Sequence, residues 1–419
     1  MKVLIVNTSD IGGAANACLR LHEGLLNNGI DSKVILIKKH KNLPQTFKVL
    51  PEKINIYKRV KKKLFKLLEN YNLKKKSNEV VFLKQRSSRL ELFSFPFSEF
   101  DITKNKWYQE ADVVNLHWVS GFLDLKSFFG KNTKPVVWTM HDMNTFTGGE
   151  HYTETIIGAN NNGNPIYRDY TELENQTNAY YKNYKTRIFN SVNNLTLVAP
   201  SKWLQNEALN SPVLHGKTVK HIAYGLNKEI FNIRDKVYSR NLLKLPQDKK
   251  VILFVAESLN NTNRKGFDFL VKAFNLLKNE NVVLCAVGHK KVKLNFTNNV
   301  IELGVINDEL LMSVAYSAAD VFVIPSLMDN LPNTVLESLM CGTPVIGFPV
   351  GGILDMVKDE ENGYIANQIS ANALKCEIEK FLDNSNRFMA NEIRKNAIDK
   401  YDINIQAQNY INLYKSLLN

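Results

Sequence analysis

The first forty residues change rhythm three times. An apolar run over Lys2–Asn7 gives way to the turn Asp10-Ile11-Gly12-Gly13, then to a helical stretch from about Ala14 to Asn28, then to a second apolar run at Ser32–Ile37. Gly29 stands where a helix C-cap is expected, so the unit reads strand, helix, strand. Short apolar runs without alternation recur at Val113–Leu116, Val136–Trp138 and Leu195–Val198. Such runs suit strands buried on both faces of a parallel sheet. A second series starts at Val251–Val255 and continues through Val282–Val287, Val300–Leu303, Val321–Ile324 and Pro344–Ile346, with helical patterns at Phe267–Leu277 and Leu310–Ala319. The pattern predicts an α/β chain of two doubly wound, Rossmann-like domains in tandem. The apolar rhythm breaks between Gly225 and Lys250, which places one domain at residues 1–230 and the other at 231–402. A helix over 403–419 is expected to pack back on the first.

Length agrees, because 419 residues exceed what one hydrophobic core usually organises. The four cysteines are widely spaced and form no CxxC pair. That excludes a disulfide scaffold and a cysteine-built zinc or iron–sulfur site, and fits a reducing compartment. The amino-terminal apolar run is too short for a signal-peptide core, and no stretch approaches the ~20 apolar residues of a spanning helix. A cytoplasmic chain is the expectation.

Lys and Arg total 54 against 41 Asp and Glu, a net charge of +13. The surplus favours an anionic partner. Ten basic residues and the single acid Glu69 lie between Lys53 and Lys76. Val60, Leu64, Phe65, Leu67 and Leu68 interleave with those lysines in a helix-like pattern. This is either an amphipathic surface for an anionic membrane or a solvated helix whose lysines snorkel over the core. A nucleic-acid-binding protein would use the same segment, but it has no use for the acidic pair described below.

Several constellations carry chemistry. Gly12 and Gly13 let backbone approach a ligand at the start of a helix, or simply make a tight turn. The glycine fingerprint is incomplete and no acid ends the second strand, which disfavours a nicotinamide oxidoreductase. His141 and Asp142 end one strand and His117 ends another, at the sheet edge where doubly wound folds bind ligands. His141 suits a hydrogen bond to a substrate hydroxyl or a proton shuttle near neutral pH. Asp142, Glu150 and His151 cluster in sequence, but at no standard zinc spacing.

The sharpest signal is the string from Pro325 to Ile346. A strand ends at Ile324, a loop carries Asp329, and a helix opens near Asn333-Thr334. Two carboxylates, Asp329 and Glu337, bracket that helix start, whose free N–H groups can take phosphate oxygens. Upstream, Arg264-Lys265-Gly266 sits at a strand-to-helix junction, well placed for a diphosphate.

The Asp329…Glu337 string, continued by Cys341-Gly342-Thr343-Pro344, resembles the acidic-x7-Glu signature of the retaining glycosyltransferases of family 4. Arg264-Lys265-Gly266, Ala199-Pro200-Ser201, Ile222–Asn227, Gly12-Gly13-Ala14 and Trp138–Asp142 resemble other stations of that family in the same order. The resemblance implies a GT-B fold, two Rossmann-like domains facing a central cleft, and transfer from a nucleotide-sugar donor to a glycan or lipid-linked glycan. It implies that Glu337 binds the ribose, and that Asp329 binds the donor sugar with the backbone around Asn330 and Leu331. Asn333, Thr334, Gly12 and Gly13 approach the phosphates. Lys265, with Arg264, neutralises the departing diphosphate, His141 lies beside the reacting sugar, and His117 and Asp142 face the acceptor. No metal or other cofactor is implied. The sequence departs from the family in carrying Asp329 for the usual Glu, Pro332 in the sugar-binding loop, and no arginine just after the second domain's first strand, where only Arg264 can substitute. A GT-B epimerase or hydrolase is the enzymatic alternative.

Overall fold

The computed structural model describes residues 1–50, 77–258, 263–289 and 300–419. The basic segment at 53–76 lies outside them. Two parallel sheets organise the chain. The first has the order β3-β2-β1-β4-β5-β8-β9, with β1 Lys2–Val6, β2 Asp31–Leu36, β3 Thr46–Lys48, β4 Val113–Leu116, β5 Val136–Thr139, β8 Leu195–Ala199 and β9 Thr218–His221. The second has the order β12-β11-β10-β13-β14-β15, with β10 Lys250–Ser258, β11 Val282–His289, β12 Val300–Gly304, β13 Val321–Ile324, β14 Val345–Gly347 and β15 Gly363–Ile365. The runs without alternation are buried along their whole length in β4, β5, β8 and β13, as strands covered on both faces must be.

Each sheet reverses its direction of growth once. In the first, β1 pairs β2 on one side and β4 on the other; in the second, β10 pairs β11 and β13. Such a switch point opens a crevice at the carboxyl ends of the strands. The turn after β1 carries Gly12 and Gly13, and the loops after β10 and β13 carry Lys265 and Asp329. The fold therefore concentrates the chemistry-bearing segments at two switch points.

A small antiparallel hairpin, β6 Ile156–Ala159 and β7 Pro165–Tyr167, turns through residues 160–164. The last helix, Ile403–Leu418, returns to the first domain. Tyr410, Ile411, Leu413 and Tyr414 join one core with Val3, Ile5, Cys18, Leu21 and Leu25. Its two tyrosines reach the sheet itself: Asn115 Nδ2 donates to Tyr414 Oη at 2.6 Å, and Thr139 Oγ1 pairs with Tyr410 Oη at 2.8 Å. No described helix is long and apolar enough to cross a membrane.

Candidate functional site

A cleft of about 950 Å³ runs between the two switch points. Gly12, Gly13, His141 and Asp142 line it from the first domain. Arg264, Lys265, Asp329, Asn330, Leu331, Asn333, Thr334 and Glu337 line it from the second. Of the candidate site residues named from sequence, His117 and Glu150 are not on the wall.

Asp329 is held by two cations. Lys265 Nζ lies 2.6 Å from its Oδ2, and Arg264 Nη1 lies 3.3 Å from its Oδ1. Ser326 Oγ also donates to Oδ2 at 3.1 Å. Burial alone would raise this carboxyl's pKa, but Lys265 and Arg264 outweigh it and hold the group below its usual range. Gly266 explains how the lysine gets there. Its φ is +64°, and a Cβ at this position would fall 1.7 Å from the Pro325 carbonyl oxygen. Leu327 N donates to Arg264 O at 2.7 Å, tying the two loops together. Arg264 turns toward the first domain, where its Nε donates to Glu91 Oε1 at 2.5 Å and its guanidinium lies 4.4 Å from the Tyr152 ring.

The helix Asn333–Met340 starts at Pro332 with no side-chain cap; Val335 N donates to Pro332 O at 3.0 Å, and the N–H groups of Asn333 and Thr334 are left to the cleft. Asn333 Nδ2 donates across the cleft to Gly13 O at 2.9 Å. One turn further on, Glu337 is 7% exposed and engaged at both oxygens, Oε1 by Arg20 at 2.7 Å and Oε2 by the Tyr316 hydroxyl at 3.0 Å. Asn330 faces the first domain: its Nδ2 donates to His141 O at 3.1 Å, and Ser201 Oγ donates to its Oδ1 at 2.6 Å. Its side chain is an interdomain clasp. Leu331 lines the cleft while its side chain joins the second domain's core.

The histidines differ from the sequence expectation. His141 Nδ1 meets the Tyr224 hydroxyl at 2.6 Å and Nε2 meets His117 Nδ1 at 2.8 Å, so both ring nitrogens are occupied. Burial pushes the His141 pKa down to about 4, and burial with the neighbouring His141 ring pushes His117 well below its usual value. A ring with so low a pKa accepts protons poorly near pH 7, which departs from the shuttle expected for His141. His117 is 3% exposed and stands behind His141, with Nε2 lacking a partner among the described residues. It lines no part of the cleft, where an acceptor-side place was expected for it.

Asp142 does reach the wall. Its Oδ2 accepts from Trp118 Nε1 at 3.1 Å and pairs with His151 Nδ1 at 2.6 Å, and its Oδ1 accepts from Asn144 N at 2.9 Å. Burial raises its pKa, but His151 outweighs that and keeps it low. Glu150, its neighbour in sequence, points away to Arg86 and Arg168 at 3.2 and 2.7 Å. Among the described residues no group of three or more His, Cys, Asp or Glu converges as a metal site. Arg20, Glu91, Tyr152 and Trp118 were not singled out from sequence. Arg20 left a signal: a charge on the buried stripe of the first helix, beside Ala17, Leu21 and Gly24.

Residues 238–400 match the family described as glycosyl transferases group 1. An uncharacterized glycosyltransferase of Methanocaldococcus jannaschii is 27% identical over 235 residues, 52% of this chain and 59% of that protein. The chain thus spans less than two thirds of that relative's length. Sucrose-phosphate synthase from Thermosynechococcus elongatus superposes with a TM-score of 0.70 at 20% identity, covering 100% of this chain and 99% of that one. The Anabaena protein HepE, solved with UDP and glucose, superposes with a TM-score of 0.65 at 16% identity, covering 99% and 100%. The whole chain therefore has the GT-B architecture.

Proposed function

We propose that this chain, whose residues 238–400 match the family described as glycosyl transferases group 1, moves a sugar from a UDP-sugar to a glycan or lipid-linked glycan. The role is in cell-surface polysaccharide or lipopolysaccharide synthesis, and the anomeric configuration is retained. The observation that carries the reading is the constellation at the second switch point. Lys265, Asp329 and Glu337 surround an uncapped helix start that faces Gly12 and Gly13 across one cleft.

In this reading the diphosphate lies at the start of helix Asn333–Met340, where N–H groups and the helix dipole favour negative charge. Glu337 accepts from the ribose hydroxyls, and Asp329 accepts from the sugar. As the glycosidic bond breaks, charge grows on the departing diphosphate. Lys265, with its side chain 32% exposed to the cleft, is the cation free to move onto it. Arg264, pinned by Glu91 and Asp329, adds fixed positive charge in place of the missing family arginine. His141 closes the wall beside the sugar as a neutral, locked ring, and Asp142 with Trp118 forms the acceptor side. These residues supply the chemistry without a metal. The UDP in the HepE complexes supports uracil as the base. The basic segment 53–76 supports docking on an anionic inner membrane face, where lipid-linked acceptors are found.

The test is UDP release from UDP-sugars, measured with and without glycan acceptors. Release that depends on an acceptor supports transfer. Equal release without one points to a hydrolase, and no turnover of any UDP-sugar overturns the reading.

A further inference from the structure

Arg20 belongs to the first helix, yet its guanidinium is committed to the other domain. Nε and Nη2 donate to Glu309 Oε1 at 3.0 and 2.7 Å, and Nη2 also donates to Glu337 Oε1 at 2.7 Å. Nη1 reaches Asn333 Oδ1 at 3.4 Å, and the group lies 5.1 Å from the Phe231 ring. The residue is 5% exposed and lines the cleft. A buried arginine spanning two carboxylates of another domain costs desolvation that only close pairing offsets. Its geometry is therefore specified rather than incidental.

A carboxylate offers about four lone-pair sites. Arg20 takes one on Glu337 Oε1 and Tyr316 takes one on Oε2, so the plane of the group is fixed and a site remains on each oxygen. Two side-by-side acceptors on a rigid plane match the adjacent hydroxyls of a ribose. Without Arg20, Glu337 would keep a single anchor, Tyr316, and could rotate.

We propose that Arg20 is a positioning residue for the donor's ribose: it orients Glu337 from the opposite domain, so that the nucleoside site is complete only when the two domains meet. This rests on the reading of Glu337 as the ribose acceptor. Through Glu337 it gives the first domain a share in donor recognition and couples nucleotide binding to closure of the cleft.

Calorimetric titration with UDP and with 2′,3′-dideoxy-UDP tests it in wild type, Arg20→Ala and Arg20→Lys. Wild type is expected to bind UDP at least about tenfold more tightly than the dideoxy compound, a difference of about 1.4 kcal/mol. Arg20→Ala should bind the two nearly alike. Arg20→Lys keeps the charge but loses the planar fork, and should fall between them; it also serves if the alanine variant fails to fold. A merely structural role would weaken both ligands together and leave their ratio unchanged. A wild-type ratio preserved in the folded variants overturns the role of Arg20 while the donor reading stands. A wild type that binds neither nucleotide, or both alike, overturns the ribose assignment of Glu337 and this proposal with it.

Discussion

Lys265 Nζ and Asp329 Oδ2 meet at 2.6 Å although 64 residues separate them in the chain. The pair joins the two loops of the second switch point, one after β10 and one after β13. It leaves Asp329 paired with two cations, Lys265 and Arg264. In the proposed function the lysine is held by Asp329 at rest and passes to the departing diphosphate.

Replacing Lys265 with Ala should lower turnover about 100-fold, the scale of losing one preorganised charge-stabilising donor. The melting temperature should change little, because Arg264 and Ser326 still satisfy Asp329. Steady-state kinetics beside thermal unfolding separates the two effects. Unchanged turnover would remove Lys265 from the site.

Gly266→Ala should act on both stability and activity. The added Cβ would lie 1.7 Å from the Pro325 carbonyl oxygen, and the left-handed φ of +64° adds its own strain. A loss of about 2 kcal/mol or more in denaturant unfolding is expected. Stability equal to wild type would mean that the two loops are not packed as described.

The histidine pair predicts a pH dependence. His141 has a folded pKa of about 4 against 6.5 for the free side chain, so the unfolded chain takes up the proton first. Stability from this group is complete above pH 6.5 and drains as pH falls toward 4, by up to about 3 kcal/mol. His117 adds in the same direction. Urea unfolding between pH 7 and 4.5 should show the loss, and a His141→Gln variant should show a shallower slope.

Tyr414→Phe tests the return of the last helix. It removes the partner of Asn115 Nδ2, which is fully buried, and should destabilise the protein by about 1–3 kcal/mol. A chain ending at residue 402 should lose the Tyr410–Tyr414 contribution to the first domain's core and aggregate. A well-folded truncated chain would contradict that packing.

Much of the fold is legible in the sequence because parallel strands covered on both faces carry unbroken apolar runs, as Val113–Leu116 and Val321–Ile324 do. Three edge strands, β3, β9 and β15, were not. Thr218–His221 is exposed at three of its four positions, and Thr46–Lys48 is only three residues long. The second-domain half of the site was legible because Lys265 and Asp329 lie in the loops after β10 and β13 and Glu337 one turn into the next helix, where local spacing points to them. The interdomain half was not. Arg20 meets Glu337 across 317 residues, and Asn330 meets His141 across 189. Nothing local marks such pairs beyond a misplaced charge on an apolar helix face. Gly351 and Gly352 escaped notice for the same reason: a Cβ on either would collide with the carbonyls of Asp329 and Asn330, contacts visible only in three dimensions. The sequence reading also took His141 as titrating near neutrality, because burial and the His117 contact depend on neighbours brought in by the sheet.

The most direct test of the central claim is calorimetric titration of the purified protein with UDP and GDP, in chelator, beside the Glu337→Ala variant. The account predicts that UDP binds to wild type and that Glu337→Ala loses at least about tenfold in affinity. Absence of nucleotide binding, or equal binding by the variant, would contradict a donor site built on Asp329 and Glu337.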